Sequence, residues 1–266
     1  MHMITLEELY LKLEVPAEAI VKFNEFKDII DIQYIKDLFY KDEEAFFELL
    51  HSEYDGKYLE VLYIYINLAV ELYKMYIENG IDLNIYYDTI DDLRIWANNC
   101  VKEAGCYGLK EVYWLNEHLR MRLYKLGRLQ FQKRSGVDFM EVIKEHNLDK
   151  YIKNEDFYFV HIPEGERLSY DLVLDSYQRA IDFYKDEMIF AVESWILSDC
   201  LGMLFSENSN LMKFRNDYQV LSYTKEENHI KRYLKPGSAV LEKVEALEKE
   251  GIIVGEGFGI CLKYIK

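Results

Sequence analysis

Proline is almost missing: 3 in 266 residues. With no Ser/Gly-rich or Gln-rich tract either, nothing reads as a disordered linker or tail, and the chain is expected to fold throughout. Cysteine is scarce too. Cys100, Cys106, Cys200 and Cys261 lie scattered in a chain too large to need staples, the pattern of reduced thiols in a cytoplasmic protein. Positive charge is in deficit: 32 Lys and Arg against 48 Asp and Glu give a formal net charge of −16. Affinity for nucleic-acid backbones comes largely from Lys and Arg replacing counterions, so that partner class is disfavoured. The start, MHMITLEELYLK, lacks an apolar signal core, and no secretion is expected. The most apolar segment, Tyr58 to Ile77, carries Glu60, Asn67, Glu71 and Lys74. It reads as a buried core helix and not as a membrane span. HExxH, paired CxxC, GxSxG and GxxxxGK[ST] are all absent, and His2, His51, His118, His146, His161 and His229 show no metal spacing. No metal is expected.

What is present is a core. Half the residues are apolar and 23 are tyrosine, enough for one large domain or two ordinary ones. The first half is helical in pattern. TLEELYLKLEV and AEAIVKFNEF flank Pro16, a spacing compatible with a helix-turn-helix but read here as an acidic helix pair capping a bundle. Helices are then expected over residues 31–51, from Lys57 to the Asn79-Gly80 stop, after Asp88-Thr89 through Cys100, and from Lys110 to Leu126. At Gly127 the character changes. Residues 128–133 alternate apolar and polar, the signature of a half-buried strand. A helix is expected from Phe139 to His146 and a buried strand from Met188 to Leu197. A largely helical stretch, 199–218, is broken at 206–210, where Asn210 is a candidate cap. A last helix precedes Gly251, and a closing hairpin surrounds Gly255 to Gly259. With no linker near Gly127, the expected architecture is α+β: a helical domain, 1–126, packed on a mixed α/β domain, 127–266.

The most informative stretch runs from Phe157 to Asp186. Phe157 to Ile162 is aromatic and β-branched, as a buried strand should be, and Pro163 and Gly165 stop it. Ser169 is placed to cap a helix whose apolar face is Val173, Tyr177, Ala180, Ile181 and Tyr184. A strand running into a helix N-terminus leaves N–H groups pointing out of the turn, which suits an anion such as a phosphate.

Three side chains are candidates for chemistry. Glu193 sits in an apolar strand, where alternation puts it with Ala191 and Trp195. Desolvation there would raise its pKa toward that of a general base; the alternative is an edge glutamate facing solvent. His161, at the end of the first strand, is either a base or a hydrogen-bonded core histidine. Tyr218, with Tyr223 beyond it, is either a proton donor or a packing residue.

Several stretches carry a family resemblance: YYDTIDDLRIW (86–96), VYWLNEHLRMRLYKLGRLQFQ (112–132), FVHIPEG (159–165), VESWIL (192–197) and ENSNLMKF (207–214). Together they make the chain resemble a bacterial family in which a helical N-acyltransferase N-terminal domain precedes a GNAT-like C-terminal domain. The resemblance implies transfer of an acyl group from acyl-CoA, acetyl or longer, to a small-molecule or peptide amine. It also implies a turn whose amides bind the CoA diphosphate, here Gly165, Glu166, Arg167, Leu168 and Ser169. Asn208 and Asn210 would contact the pantetheine arm. Glu193 or His161 would take the amine proton, and Tyr218 would protonate the departing sulfur. Where such turns usually carry several glycines, this one keeps Gly165 and adds Glu164 and Glu166. Two like charges about 4 Å apart repel by about 4 kcal/mol at a surface-like dielectric, so both acids must point away from a diphosphate. The competing expectation is a non-catalytic GNAT-fold protein that binds a ligand or serves as a scaffold.

Overall fold

The apolar faces in the first half are wide because they enclose one central helix. In the computed structural model, which describes residues 3–150, 152, 156–185, 188–225 and 229–264 (without the side chains of 229, 232 and 262), the chain divides into units 1–125 and 126–266. His2 and Asp186 lie outside the described residues, as does the side chain of His229.

The first unit holds α1 (Leu6–Lys12), α2 (Ala17–Phe26), α3 (Ile32–Lys41), α4 (Glu43–Glu53), α5 (Tyr58–Glu78), α6 (Leu83–Ala104) and α7 (Val112–Leu119). Along α5, every residue from Val61 to Ala69 is buried, so it is apolar nearly all round, as a central helix must be. Each fully buried aliphatic side chain there stabilises the fold by roughly 1.5–3 kcal/mol. Buried Asn67 is satisfied by donating to the Tyr63 carbonyl at 2.9 Å. The segment expected as one piece over 31–51 divides at Asp42, whose carboxylate accepts from the Ala45 N–H and starts α4. Helix α6 begins earlier than expected, capped by Asp82, because buried Tyr86 anchors its first turns by donating to the Ala69 carbonyl. The helix expected to reach Leu126 stops at Leu119. Met121 takes a left-handed φ of 56°, and Leu123 belongs to β1 (Leu123–Leu126) instead. Among the described residues no helix is long and apolar enough to cross a membrane.

The second unit contains β2 (Leu129–Ser135), α8 (Met140–Glu145), β3 (Asp156–His161), α9 (Tyr170–Tyr184) and β4 (Phe190–Ser194). It continues with α10 (Leu201–Leu204), α11 (Asn210–Asn216), β5 (Gln219–Thr224), α12 (Ala239–Lys249) and β6 (Glu256–Cys261). Sheet order is β1-β2-β3-β4-β6-β5, with the division between units falling inside β1. Strands β3 and β4 run parallel, while β2–β3, β4–β6 and β5–β6 are antiparallel.

In the second unit the structure corrects three further expectations about strands. The closing hairpin is a single strand, β6, inserted between β4 and β5. Its glycines answer close approach: a Cβ on Gly257 would sit 2.7 Å from the Leu197 carbonyl oxygen. Strand β4 ends at Ser194, where a 3-10 turn, Trp195–Leu197, begins with Ser194 Oγ accepting from the Ile196 N–H, so Trp195 leaves the strand alternation. Strand β2 is covered on both faces from Leu129 to Gln132 and not half-buried. On one face Phe131, Tyr158 and Phe190 meet Tyr177 and Tyr184 of α9. On the other, Phe157, Phe159, Ala191, Phe258 and Ile260 pack under Ile143 of α8 and Phe139 of the preceding 3-10 turn, Val137–Phe139.

Candidate active site

The β3–β4 ladder is short. Among the described residues it joins only Tyr158 to Phe190 and Phe159 to Ala191. Beyond that point β3 stays paired with β2 as far as His161, and β4 stays paired with β6 as far as Ser194. Two parallel strands that each follow an outer neighbour part from one another there, and the gap between them is the candidate cleft.

His161 and Glu193 stand two residues past Phe159 and Ala191, so the register sets them level across this cleft. By alternation both lie on the face of Phe159 and Ala191, opposite α9. His161 is half-buried, with Nε2 3.2 Å from Gln132 Oε1. Gln132 comes from β2, opposite Phe159, and is buried. Glu193 is exposed, yet its carboxyl is held above the usual range by partial desolvation and by the nearby Glu256, with Arg134 pulling the other way. A carboxylate so poised takes a proton more readily than an ordinary surface glutamate.

The turn from β3 to α9 is open. Gly165 has φ 112°, a backbone conformation that L side chains rarely adopt, and a Cβ placed there would meet nothing within 4 Å. Glu164, Gly165, Glu166 and Arg167 are exposed, and Leu168 is buried. Ser169 occupies the N-cap position, but its hydroxyl makes no capping hydrogen bond. This corrects the expected side-chain cap and leaves the first-turn N–H groups of α9 without a side-chain acceptor.

Tyr218 lies on the other face. Its hydroxyl is 2.5 Å from that of Tyr177 on α9, and burial raises both far above the usual phenol range, so both keep their protons at neutral pH. Next to it Asp217 accepts from the Tyr170 hydroxyl at 2.8 Å, tying the first residue of α9 to the end of α11. The buried Cys261 thiol is pushed up to about 11, mainly by desolvation. The helix break at 206–210 is capped by Ser209, whose Oγ accepts from the Met212 N–H at 3.2 Å, and not by Asn210, which opens α11. Asn208 is exposed and Asn210 half-buried. The structure thus brings His161 and Glu193 to one cleft, with Tyr218 on the sheet's opposite face.

Gln132, Glu256, Arg134 and Tyr177 do not stand out from sequence as members of a site. Each arrives through cross-strand register or helix-on-sheet packing, and only the alternation of Gln130, Phe131 and Gln132 hints at a polar face on β2. Among the described residues no three His, Cys, Asp or Glu side chains are grouped to hold a metal.

Among curated proteins none matches the chain. An acyltransferase crystallised with decanoyl-CoA and teicoplanin superposes with TM-score 0.72 at 20% identity, over 96% of this chain and 86% of that one. An acyltransferase with CoA and 10C-teicoplanin gives 0.72 at 21%, over 98% and 88%. An acyltransferase with decanoyl-CoA gives 0.73 at 18%, also over 98% and 88%. These likenesses establish the fold. Residues 4–121 match the N-acyltransferase N-terminal domain and residues 123–249 the GNAT-like C-terminal domain, and with both in sequence this chain belongs to the family that joins those two domains.

Proposed function

We propose that this protein is an N-acyltransferase that moves an acyl group from acyl-CoA, acetyl or longer, to an amine by direct attack. The supporting observation is the cleft that opens where the β3–β4 ladder ends, with His161 and Glu193 level across it and the open Gly165 turn at the end of β3. The residues present suit the co-substrate. Gly165, Glu166, Arg167, Leu168 and Ser169 offer main-chain N–H groups to a diphosphate, and Asn208 and Asn210 offer amides to the pantetheine arm. Glu193 or His161 takes the proton of the attacking amine, directly or through water. The carbon–nitrogen bond forms as the carbon–sulfur bond breaks, backbone N–H groups of the cleft edge polarise the carbonyl oxygen, and the departing sulfur takes its proton from solvent, because Tyr218 is buried on the opposite face of the sheet. No covalent enzyme intermediate is needed.

Relatives of the same fold were crystallised with decanoyl-CoA or octanoyl-CoA and with teicoplanin. The acceptor assigned here is accordingly a small molecule or peptide bearing an amine. In this reading residues 1–126 form the helical domain and 127–266 the catalytic one, and the free thiols of Cys100, Cys106, Cys200 and Cys261 suit the cytoplasm. The exposed acids Glu164 and Glu166 favour a second reading, a GNAT-fold protein that binds a ligand or scaffolds a partner without turnover. Thermal melting with acetyl-, octanoyl- and decanoyl-CoA, followed by thiol release over an amine panel, separates the two. Stabilisation with Glu193-dependent thiol release supports transfer, and stabilisation without release supports the second reading. No stabilisation by any acyl-CoA at millimolar concentration removes the first, since native-state binding must raise stability.

A further inference from the structure

Arg128 is the most unusual charge in the second unit. It follows Gly127 in the two-residue turn between Leu126 and Leu129, and only 5% of it is exposed. The turn is pinned to α9: the N–H groups of Arg128 and Leu129 both donate to Ser176 Oγ, at 2.7 and 3.3 Å, and Ser176 Oγ donates to the Leu172 carbonyl. From there the guanidinium reaches the β3–α9 turn, where Nη2 donates to the Glu166 carbonyl at 2.5 Å. Its Nε is buried with no partner. Among the described residues Arg128 makes no ion pair, although the Glu166 carboxylate is near enough to act on it. Arg120 in the first unit shows the ordinary arrangement. It too is largely buried, but it donates to Asn116 and to the Phe39 carbonyl and has Glu43 3.5 Å away. A buried cation with an idle donor is costly unless something anionic completes it.

We infer that Arg128 is the positive charge behind the 163–169 turn, positioning its backbone and completing a site for the diphosphate of CoA at the N-terminus of α9. This deepens the proposed function and rests on it. It also explains how a turn carrying Glu164 and Glu166 accepts an anion: the opposing charge comes from beneath the turn and not from its own sequence.

The test compares CoA with pantetheine, which lacks the diphosphate, by calorimetric titration of wild type and Arg128→Met in the full chain. The expected result is CoA binding weakened at least tenfold with pantetheine binding unchanged within twofold. CoA affinity within twofold of wild type, or CoA and pantetheine weakened together, overturns the inference while leaving the transferase reading standing. Wild type that binds neither removes the reading itself. Should Arg128→Met not fold, Arg128→Lys assigns the Arg128 Nε–H resonance in ¹⁵N-arginine-labelled protein. That resonance is expected to move in wild type on adding CoA and not on adding pantetheine; a stationary signal in saturating CoA overturns the assignment.

Discussion

Each unit offers a histidine and an acidic side chain as a candidate pair, and the two sets behave oppositely. In the first unit His118 Nε2 lies 3.0 Å from Asp92 Oδ2, which also accepts from the Trp114 indole at 3.2 Å, and His118 and Asp92 are 1% and 2% exposed. No path from solvent reaches that pair, and its work is to hold α6 to α7. In the second unit His161 and Glu193 lie past the end of a ladder, His161 half-buried and held by Gln132 and Glu193 exposed. The difference teaches that residue type does not mark chemistry. Access does, and here it comes from two strands that stop pairing.

The contrast can be broken by substitution. His118→Ala removes one partner of a buried pair and should cost about 3–5 kcal/mol of stability, read from denaturant unfolding. His161→Ala should shift the midpoint little, and an equal loss at both positions would erase the distinction. Glu193→Gln should leave the fold intact and slow acyl transfer ~10²–10⁴-fold, the usual span for a general base. An unchanged rate would transfer the role to His161.

The pH profile sharpens the same point. A base works ionised, so the rate should rise as pH climbs through the raised Glu193 value, at a higher pH than for an ordinary glutamate. Glu256→Gln removes the neighbouring charge and should move that limb to lower pH. Stability runs in the opposite sense. A carboxyl whose folded value is raised contributes most below its unfolded value and loses that contribution as pH rises through the folded one, so wild type should gain on Glu193→Gln as the solution is acidified.

Smaller effects separate two helix starts. Ser209→Ala, which removes a bonded cap, should cost ~1 kcal/mol, whereas Ser169→Ala should cost under ~0.5 kcal/mol because its hydroxyl caps nothing. A large loss at Ser169 would show that its hydroxyl is engaged after all.

Much of the fold is legible from local pattern. The span of α5, the position of β3, the start of α9 at Ser169 and the change of character near Gly127 all come from periodicity and stop signals acting over a few residues. Local pattern puts Leu123 in a helix, Gly255 to Gly259 in a hairpin and Trp195 in a strand; the left-handed Met121 and the Ser194 turn overturn the first and last, and a partner distant in sequence the second. Around β6 it is Leu197, whose carbonyl approaches Gly257 too closely for any side chain.

The same division holds at the candidate site. Local chemistry determined that a strand, an open glycine and a helix N-terminus would succeed one another from Phe157 onward, because each is encoded within a handful of neighbouring residues. Only tertiary structure decided that the ladder would end beside His161 and Glu193, that Gln132 would hold the imidazole and Tyr177 the Tyr218 hydroxyl, and that Arg128 would lie beneath Glu166. Those placements depend on strand register and on side chains brought together from 29 to 41 residues away, and no local periodicity carries that information.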